Sequence, residues 1–230
     1  MAGSETPVVK GSVIRDLRSE PELREAVALQ KTIWGWDDAD LLPFRMYVVA
    51  TKIGGQLLGA FDGGRMIGFC LAIPGLKPDN RIYLHSHMMG VLPDYRNRGV
   101  GRQLKMQQRS DALARGIDLI EWTFDPLDMK NAYFNIERLG AIVRRYVRNQ
   151  YGISSSALHG GLPTDRCVAE WWIGRPRPQA GVVEQIAVPP DIEAARHAQS
   201  KIAGRFESCF ARGLTVVGVR DSAYQLGVLP

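Results

Sequence analysis

The stretch from Met88 to Leu104, MMGVLPDYRNRGVGRQL, changes character halfway along. An apolar run stops at Pro93, passes Arg96, Arg98, Gly99 and Gly101, and resumes with Val100 and Leu104 at helical spacing. This spacing predicts a strand, a tight turn and then a helix, whose first N–H groups have no intrahelical acceptor. Those amides and the helix dipole favour an anion, the glycines let a phosphate approach the backbone, and Arg96, Arg98 and Arg102 can add charge-assisted hydrogen bonds. The turn reads as a pyrophosphate cradle, against the alternative of an ordinary strand-to-helix connection. Two other phosphate loops are excluded by spacing. No Gly-Lys-Ser/Thr follows the glycines, and no Gly-x-Gly-x-x-Gly follows a first strand.

Outward from this turn, periodicity gives the neighbouring elements. Upstream, SVIRDL reads as a first strand, and SEPELREAVALQKTIWG as a helix with Ser19 as N-cap, Leu23, Val27, Ile33 and Trp34 on its inner face and Gly35 at its end. LLGAFDGGRMIGFCLAIPG is a hairpin turning at Asp62-Gly63-Gly64, and RIYLHSHMMGVLP is the strand that enters the cradle. Downstream, the helix runs through Leu104 and Leu113 to Gly116. IDLIEWTFD is then a strand, DMKNAYFNIERLG a short helix, and AIVRRYVRNQYG and RCVAEWWIG further strands. RPRPQAG reads as a linker, after which a helix from about Asp191 to Arg212, with Ala194, Ile202, Phe206 and Phe210 as its stripe, precedes LTVVGV and AYQLG.

The run GVLPDYRNRGVGRQL resembles motif A of the GNAT superfamily of N-acetyltransferases, in which Arg/Gln-x-x-Gly-x-Gly/Ala follows a strand ending in a Val-x-Pro-like sequence. Arg96, Gly99 and Gly101 fill those three places. NAYFNIERLGA is similar to the family's asparagine-to-glycine helix, and HSHMMGVLP, WTFDPL and NAYFNIERLG resemble a little-characterised bacterial branch. The resemblance covers about residues 13–175. It implies an α/β (α+β) fold of the acyl-coenzyme A N-acyltransferase type, a mixed, mostly antiparallel sheet flanked by helices. It also implies acetyl-coenzyme A as co-substrate, with Met89, Gly90 and Val91 at the strand end that pairs with pantetheine. Asn97, Arg98, Val100 and Arg102 join the cradle, and Asn131 lies near the family's asparagine. Residues 1–178 are then the acetyltransferase domain and 179–230 a helix-and-hairpin extension, packed on the core or on a second copy in a homodimer.

Amine acetylation needs a base for the ammonium, a polarised thioester carbonyl and a proton for the departing thiolate. Histidine titrates near neutrality without tuning. His85 and His87 lie two apart on the strand that enters the cradle, so simple alternation puts them and Tyr83 on one face. The resemblance favours His85, which stands where histone-type members carry a glutamate base; His87 is the substitute. Glu121 and Asp125 are alternatives, Asp125 being better suited to bracing the turn at Pro126. For the general acid, members often place a tyrosine four residues before the helix-ending glycine, which here is Ile136. Tyr133 is about one turn earlier and is the candidate, against the alternative of a packed core aromatic. The Val91 amide is the expected oxyanion donor. The departure at Ile136 leaves open a noncatalytic acyl-coenzyme A binder.

The acceptor is not legible. In this family its pocket is built largely from the segment here reading GWDDADLLPFRMY, where Asp37, Asp38 and Asp40 would suit a cationic amine and Trp34 and Trp36 an aromatic wall; a solvated acidic loop is the alternative. A small-molecule amine, a peptide N-terminus or a lysine would each fit. The net charge of +5 comes mainly from arginine, which outnumbers lysine about three to one, but these arginines are scattered and form no basic block. Nucleic acid is therefore not an expected partner. Cys70, Cys167 and Cys209 are too few and too far apart for a disulfide framework or a zinc cluster, so free thiols and no metal are expected. With no apolar run of the roughly 18 residues a bilayer span needs, and a polar start, the expected compartment is the cytoplasm and no membrane is involved.

Overall fold

The computed structural model describes residues 11–152 and 163–230. The chain forms two compact units that divide between Asp118 and Leu119. Each is an antiparallel sheet flanked by helices, the mixed architecture expected.

In the first unit the strand order is β1-β2-β3-β4, with β1 Val13–Asp16, β2 Gln56–Asp62, β3 Arg65–Leu76 and β4 Ile82–Val91. Helix α1 (Glu20–Trp34) starts as its sequence demands: the Ser19 N–H donates to Glu22 Oε2 at 2.9 Å, and Pro21 occupies the first turn. Those bonds push Glu22 down to about 2. α1 ends at Gly35 in the left-handed region, its N–H on the Lys31 carbonyl at 2.8 Å. Helix α2 (Phe44–Lys52) was not indicated by periodicity, because its Val48-Val49 pair reads as strand. Buried Gln30 fastens the loop between these helices by donating to the Leu42 carbonyl at 3.0 Å and accepting from the Leu42 N–H at 2.9 Å.

Two apolar layers sandwich this sheet. Leu23, Ala26, Ile33, Tyr47, Phe69, Leu71 and Met88 pack on the α1 and α2 side. Leu58, Ala60, Ile67 and Cys70 pack against Val100 and Leu104 of α3 (Val100–Ala114) on the other. Leu113 is exposed, and Ala112 beside it is buried.

The second unit orders its strands β5-β7-β6-β9-β10-β8. These are β5 Leu119–Phe124, β6 Ile142–Val147, β7 Arg166–Trp172, β8 Glu184–Ala187, β9 Thr215–Arg220 and β10 Ala223–Gly227. The C-terminal extension belongs to this unit: β9 pairs with β6, and the Tyr224 hydroxyl donates to the Pro126 carbonyl at 2.7 Å. Residues 163–178 and 179–230 thus lie in the same compact unit. Helix α5 (Ile192–Ala211) buries Ala195, Gln199, Ile202, Ala203, Phe206 and Cys209; Ala194, one residue off that stripe, is exposed. The Phe206 ring stacks on Tyr146 at 5.2 Å and meets Tyr224 edge-on at 5.0 Å. Helix α4 (Met129–Tyr133) continues as a π-helical turn over Phe134–Arg138.

All three cysteines are free and buried. Among the described residues, no helix is long and apolar enough to cross a membrane, and no group of three or more His, Cys, Asp or Glu could hold a metal ion.

Candidate functional site

Strand β4 ends at Val91, Pro93–Tyr95 make a single 3₁₀ turn, and α3 begins at Val100. Between them Asn97 has φ 61° and Gly99, the N-cap, φ 83°, both left-handed. A side chain at residue 99 would be strained, whereas the short polar Asn97 tolerates this region. The N-cap glycine has no side chain with which to cap α3, and no acidic residue lies in the helix's first turn. A Cβ at Gly101 would meet only the tip of Met89, at an ordinary 3.5 Å. Internal packing therefore does not require glycine at 101, and the backbone stays open to a ligand's close approach. At Gly90 the reason is internal: a Cβ there would lie 2.8 Å from Ile33 and 2.9 Å from Trp34.

The arginines of the turn divide their work. Arg98 and Arg102 are exposed, with the Arg98 guanidinium 5.8 Å from the Tyr95 ring, and the Tyr95 hydroxyl donates to Asp62 Oδ2 at 2.9 Å. Arg96 turns back instead. Its Nε donates to the Val91 carbonyl at 3.2 Å and its Nη2 to the Ile33 carbonyl at 3.0 Å, which ties the end of β4 to the end of α1. Arg96 thus shapes the turn, while Arg98 and Arg102 present their charges on its exposed side.

The histidines sit on an irregularity that alternation alone does not reveal. Along β3, Leu71 faces Met88 and Ala72 faces Ser86, so His87 is an extra residue, a β-bulge. The bulge exchanges the faces of everything beyond it. Ser86 before it and Met89 after it both face α3, while Met88 faces α2 and receives the Tyr47 hydroxyl at 3.3 Å. His85 lies opposite Ile73, which packs in the α1 and α2 layer, and the two imidazoles are 6.1 Å apart at their centroids. The structure thus brings His85 and His87 together. His87 is exposed as a residue, yet the protein packed around its ring desolvates it and pushes its pKa below the ordinary 6.5.

A group missed in the sequence lies behind them. Lys105 on α3 is 2% exposed and donates to Ser86 Oγ at 2.7 Å and to Gln108 Oε1 at 3.2 Å. Burial lowers its pKa to about 8. The signal was present: Val100, Leu104, Lys105, Gln108 and Ala112 form one helical stripe, with a lysine where an apolar residue would be ordinary.

The other sequence candidates belong to the second unit. Glu121 is buried and accepts from Arg145 Nη2 at 2.6 Å. It stands directly across from buried Glu170, which Arg144 also meets. Arg144 and Arg145 thus balance two carboxylates buried side by side. Asp125 Oδ1 accepts from the Leu127 N–H at 2.8 Å, the bracing role anticipated. The Asn131 side chain accepts from Asn135 Nδ2 at 3.3 Å. Tyr133 is not a packed core aromatic: it is 48% exposed and, with Lys130, Glu137, Arg177 and Arg220, lines a cavity of about 880 Å³. Ile136 is fully buried. In the loop between α1 and α2, Asp38 pairs with Lys31, and Trp34 stacks on Trp36 at 4.7 Å.

Residues 16–140 match the model of the Acetyltransferase (GNAT) family. Solved structures share the fold. The ribosomal-protein-S18-alanine N-acetyltransferase from Escherichia coli aligns with a TM-score of 0.55 at 18% identity, over 74% of this chain and 97% of that one. Aminoglycoside 6'-acetyltransferase type Ii gives 0.56 at 20% identity, over 72% and 99%. NAA60 from Arabidopsis thaliana, in complex with a bisubstrate analogue, gives 0.58 at 13%, over 70% and 98%. At such identities the likeness is one of fold. No curated protein matches the chain. The family model spans more than half of the residues, the glycine turn and both histidines among them, and the chain therefore belongs to the GNAT family of acetyltransferases.

Proposed function

We propose that this protein is an N-acetyltransferase that moves an acetyl group from acetyl-coenzyme A to a primary amine by direct attack in a ternary complex. The observation that carries the reading is the start of α3: a left-handed Gly99, an uncapped helix end with no carboxylate in its first turn, and a Gly101 whose missing side chain nothing inside the protein demands. The first-turn amides would hold the pyrophosphate, with Arg98 and Arg102 adding charge from the exposed side.

The amine nitrogen forms its bond to the thioester carbonyl carbon as it loses a proton, the carbon–sulfur bond breaks, and the thiolate takes up a proton to leave as free coenzyme A. His85 is the proposed base, with His87 as its substitute. A neutral imidazole is the competent form, and the lowered pKa of His87 keeps it neutral at pH 7. Polarisation of the carbonyl is assigned to the Val91 amide. Tyr133 is the proposed acid, its exposure leaving the hydroxyl accessible. The acceptor is a small amine, a peptide N-terminus or a lysine. Relatives in fold act on as different a pair as a ribosomal-protein alanine and an aminoglycoside, so fold alone does not select among these.

The test is thiol release from acetyl-coenzyme A against a panel of polyamines, aminoglycosides and N-terminal peptides. Amine-dependent release that falls at least a hundredfold in His85→Ala supports the reading. Binding of acetyl-coenzyme A with no release for any amine would favour a noncatalytic acyl-coenzyme A module, the reading that Ile136 in the family's tyrosine place would fit.

A further inference from the structure

The two histidines keep the shared face that alternation gives them because the extra residue of β4 sits at His87 and not upstream of it. Were it two residues earlier, at His85, the residues between the two positions would exchange faces: Ser86 would turn toward α1 and α2, and His87 toward α3. A bulge at either place interrupts the ladder by one residue, so side-chain contacts can select between them.

A side-chain contact distinguishes the two. Lys105 Nζ donates to Ser86 Oγ at 2.7 Å, and that bond exists only while Ser86 faces α3. Both residues are deeply buried, Lys105 at 2% exposure and Ser86 at 4%. The contact is part of a buried polar group. Gln108 Oε1 accepts from Lys105 at 3.2 Å, Gln108 Nε2 reaches Cys70 Sγ at 3.8 Å, and Gln56 Nε2 donates to the Gln108 carbonyl at 3.2 Å. An amine is costly to bury where a methionine of similar length would fit, and buried polar contacts are best attested as devices that fix register. Lys105 also lies one turn past Gly101 on α3, the helix that opens at the glycine turn.

We propose that Lys105 is a positioning residue: through Ser86 it pins the bulge at His87, and so holds the histidine pair on one face and in fixed relation to the helix that carries the anion turn. This rests on the acetyltransferase reading for its purpose, but the pin itself is a property of the ligand-free protein. Its test can therefore fail while acetyl-coenzyme A binding succeeds, and the reverse.

The experiment is proton NMR of the histidine rings in the full chain, with signals assigned through His85→Gln and His87→Gln, comparing wild type with Lys105→Met and Ser86→Ala. Wild type is expected to give one signal per ring and a ring-to-ring Overhauser contact between His85 and His87. Both variants, folded by circular dichroism and with a thermal midpoint no lower than wild type for Lys105→Met, are expected to lose that contact and to show a second His87 signal. A contact and single signals retained in either variant overturn the proposal. Should Lys105→Met not fold, Ser86→Ala alone decides.

Discussion

Lys105→Met makes a quantitative prediction about stability against pH. The buried amine gives up its proton near pH 8 in the folded protein, while the unfolded chain holds it to the ordinary 10.5. Between those values the unfolded state binds more protons, so Lys105 makes wild type gain stability as pH rises, by up to about 1.4 kcal/mol per pH unit and about 3 kcal/mol across the window. Other groups titrate there too. Cys70, facing Lys105 from β3, is pushed up to about 12 by burial and acts with the opposite sign, and Asp111 on α3 bears on that thiol. Both remain in the variant, so the difference between the two proteins isolates the lysine to first order. Lys105→Met is expected to be at least as stable as wild type at pH 7, since an apolar chain replaces a buried charge. That advantage should shrink by about 2 kcal/mol or more between pH 8 and pH 10. Urea denaturation of both proteins at pH 7, 8, 9 and 10 measures it. A stability difference that stays flat across this range would show that Lys105 is not a desolvated amine, and the reasoning would be wrong.

Four further outcomes follow from the same geometry. Arg145→Met removes the partner of Glu121 and leaves two buried carboxylates side by side; with the guanidinium half exposed, the loss at pH 7 should be about 2 kcal/mol. Urea midpoints of the two proteins at pH 7 check this, an unchanged midpoint counting against it. Arg96→Ala breaks the bonds to the Val91 and Ile33 carbonyls and should cost about 1 kcal/mol in thermal denaturation, with acetyl-coenzyme A binding weakened less than in Arg98→Ala or Arg102→Ala. Once an accepting amine is found, the acid limb of kcat/KM should lie below pH 6.5 if His87 is the base, because burial lowers its pKa and protonation removes the lone pair. His85→Ala is expected to cost about a hundredfold or more if His85 is the base, and His87→Ala less than tenfold.

Much of this was readable residue by residue. Ser19 with Glu22, Gly35, the Asp62-Gly63-Gly64 hairpin and the strand-to-helix change at Pro93 are local signals, each satisfied by atoms a few positions away. What the pattern missed depends on distant partners. The bulge at His87 is a property of β3 and β4 together, and the sequence of β4 alternates as if it were regular. Strand β8 is four residues long and pairs with β10, which begins 36 positions after β8 ends. Leu113 and Ala194 look like core by composition, yet each lies one position off its helix's true stripe, where Ala112 and Ala195 are buried instead. The ion pairs that occupy Glu121 and Glu170 come from β6, and nothing near Glu121 in sequence announces Arg145. The glycine turn was legible because its chemistry is written in consecutive residues. The acceptor pocket was not, because it has no such signature.

The central claim is that the start of α3 holds acetyl-coenzyme A, and Gly101→Glu tests it with least damage to the fold. A Cβ at residue 101 has room, and a carboxylate in the first turn of a helix is favoured by the dipole by about 0.3–1 kcal/mol. The variant should therefore melt at or above the wild-type temperature while repelling a pyrophosphate. Calorimetric titration with acetyl-coenzyme A is expected to give micromolar binding to wild type and at least a hundredfold weaker binding to Gly101→Glu. Equal affinity for both proteins, or no binding to either, would contradict the account.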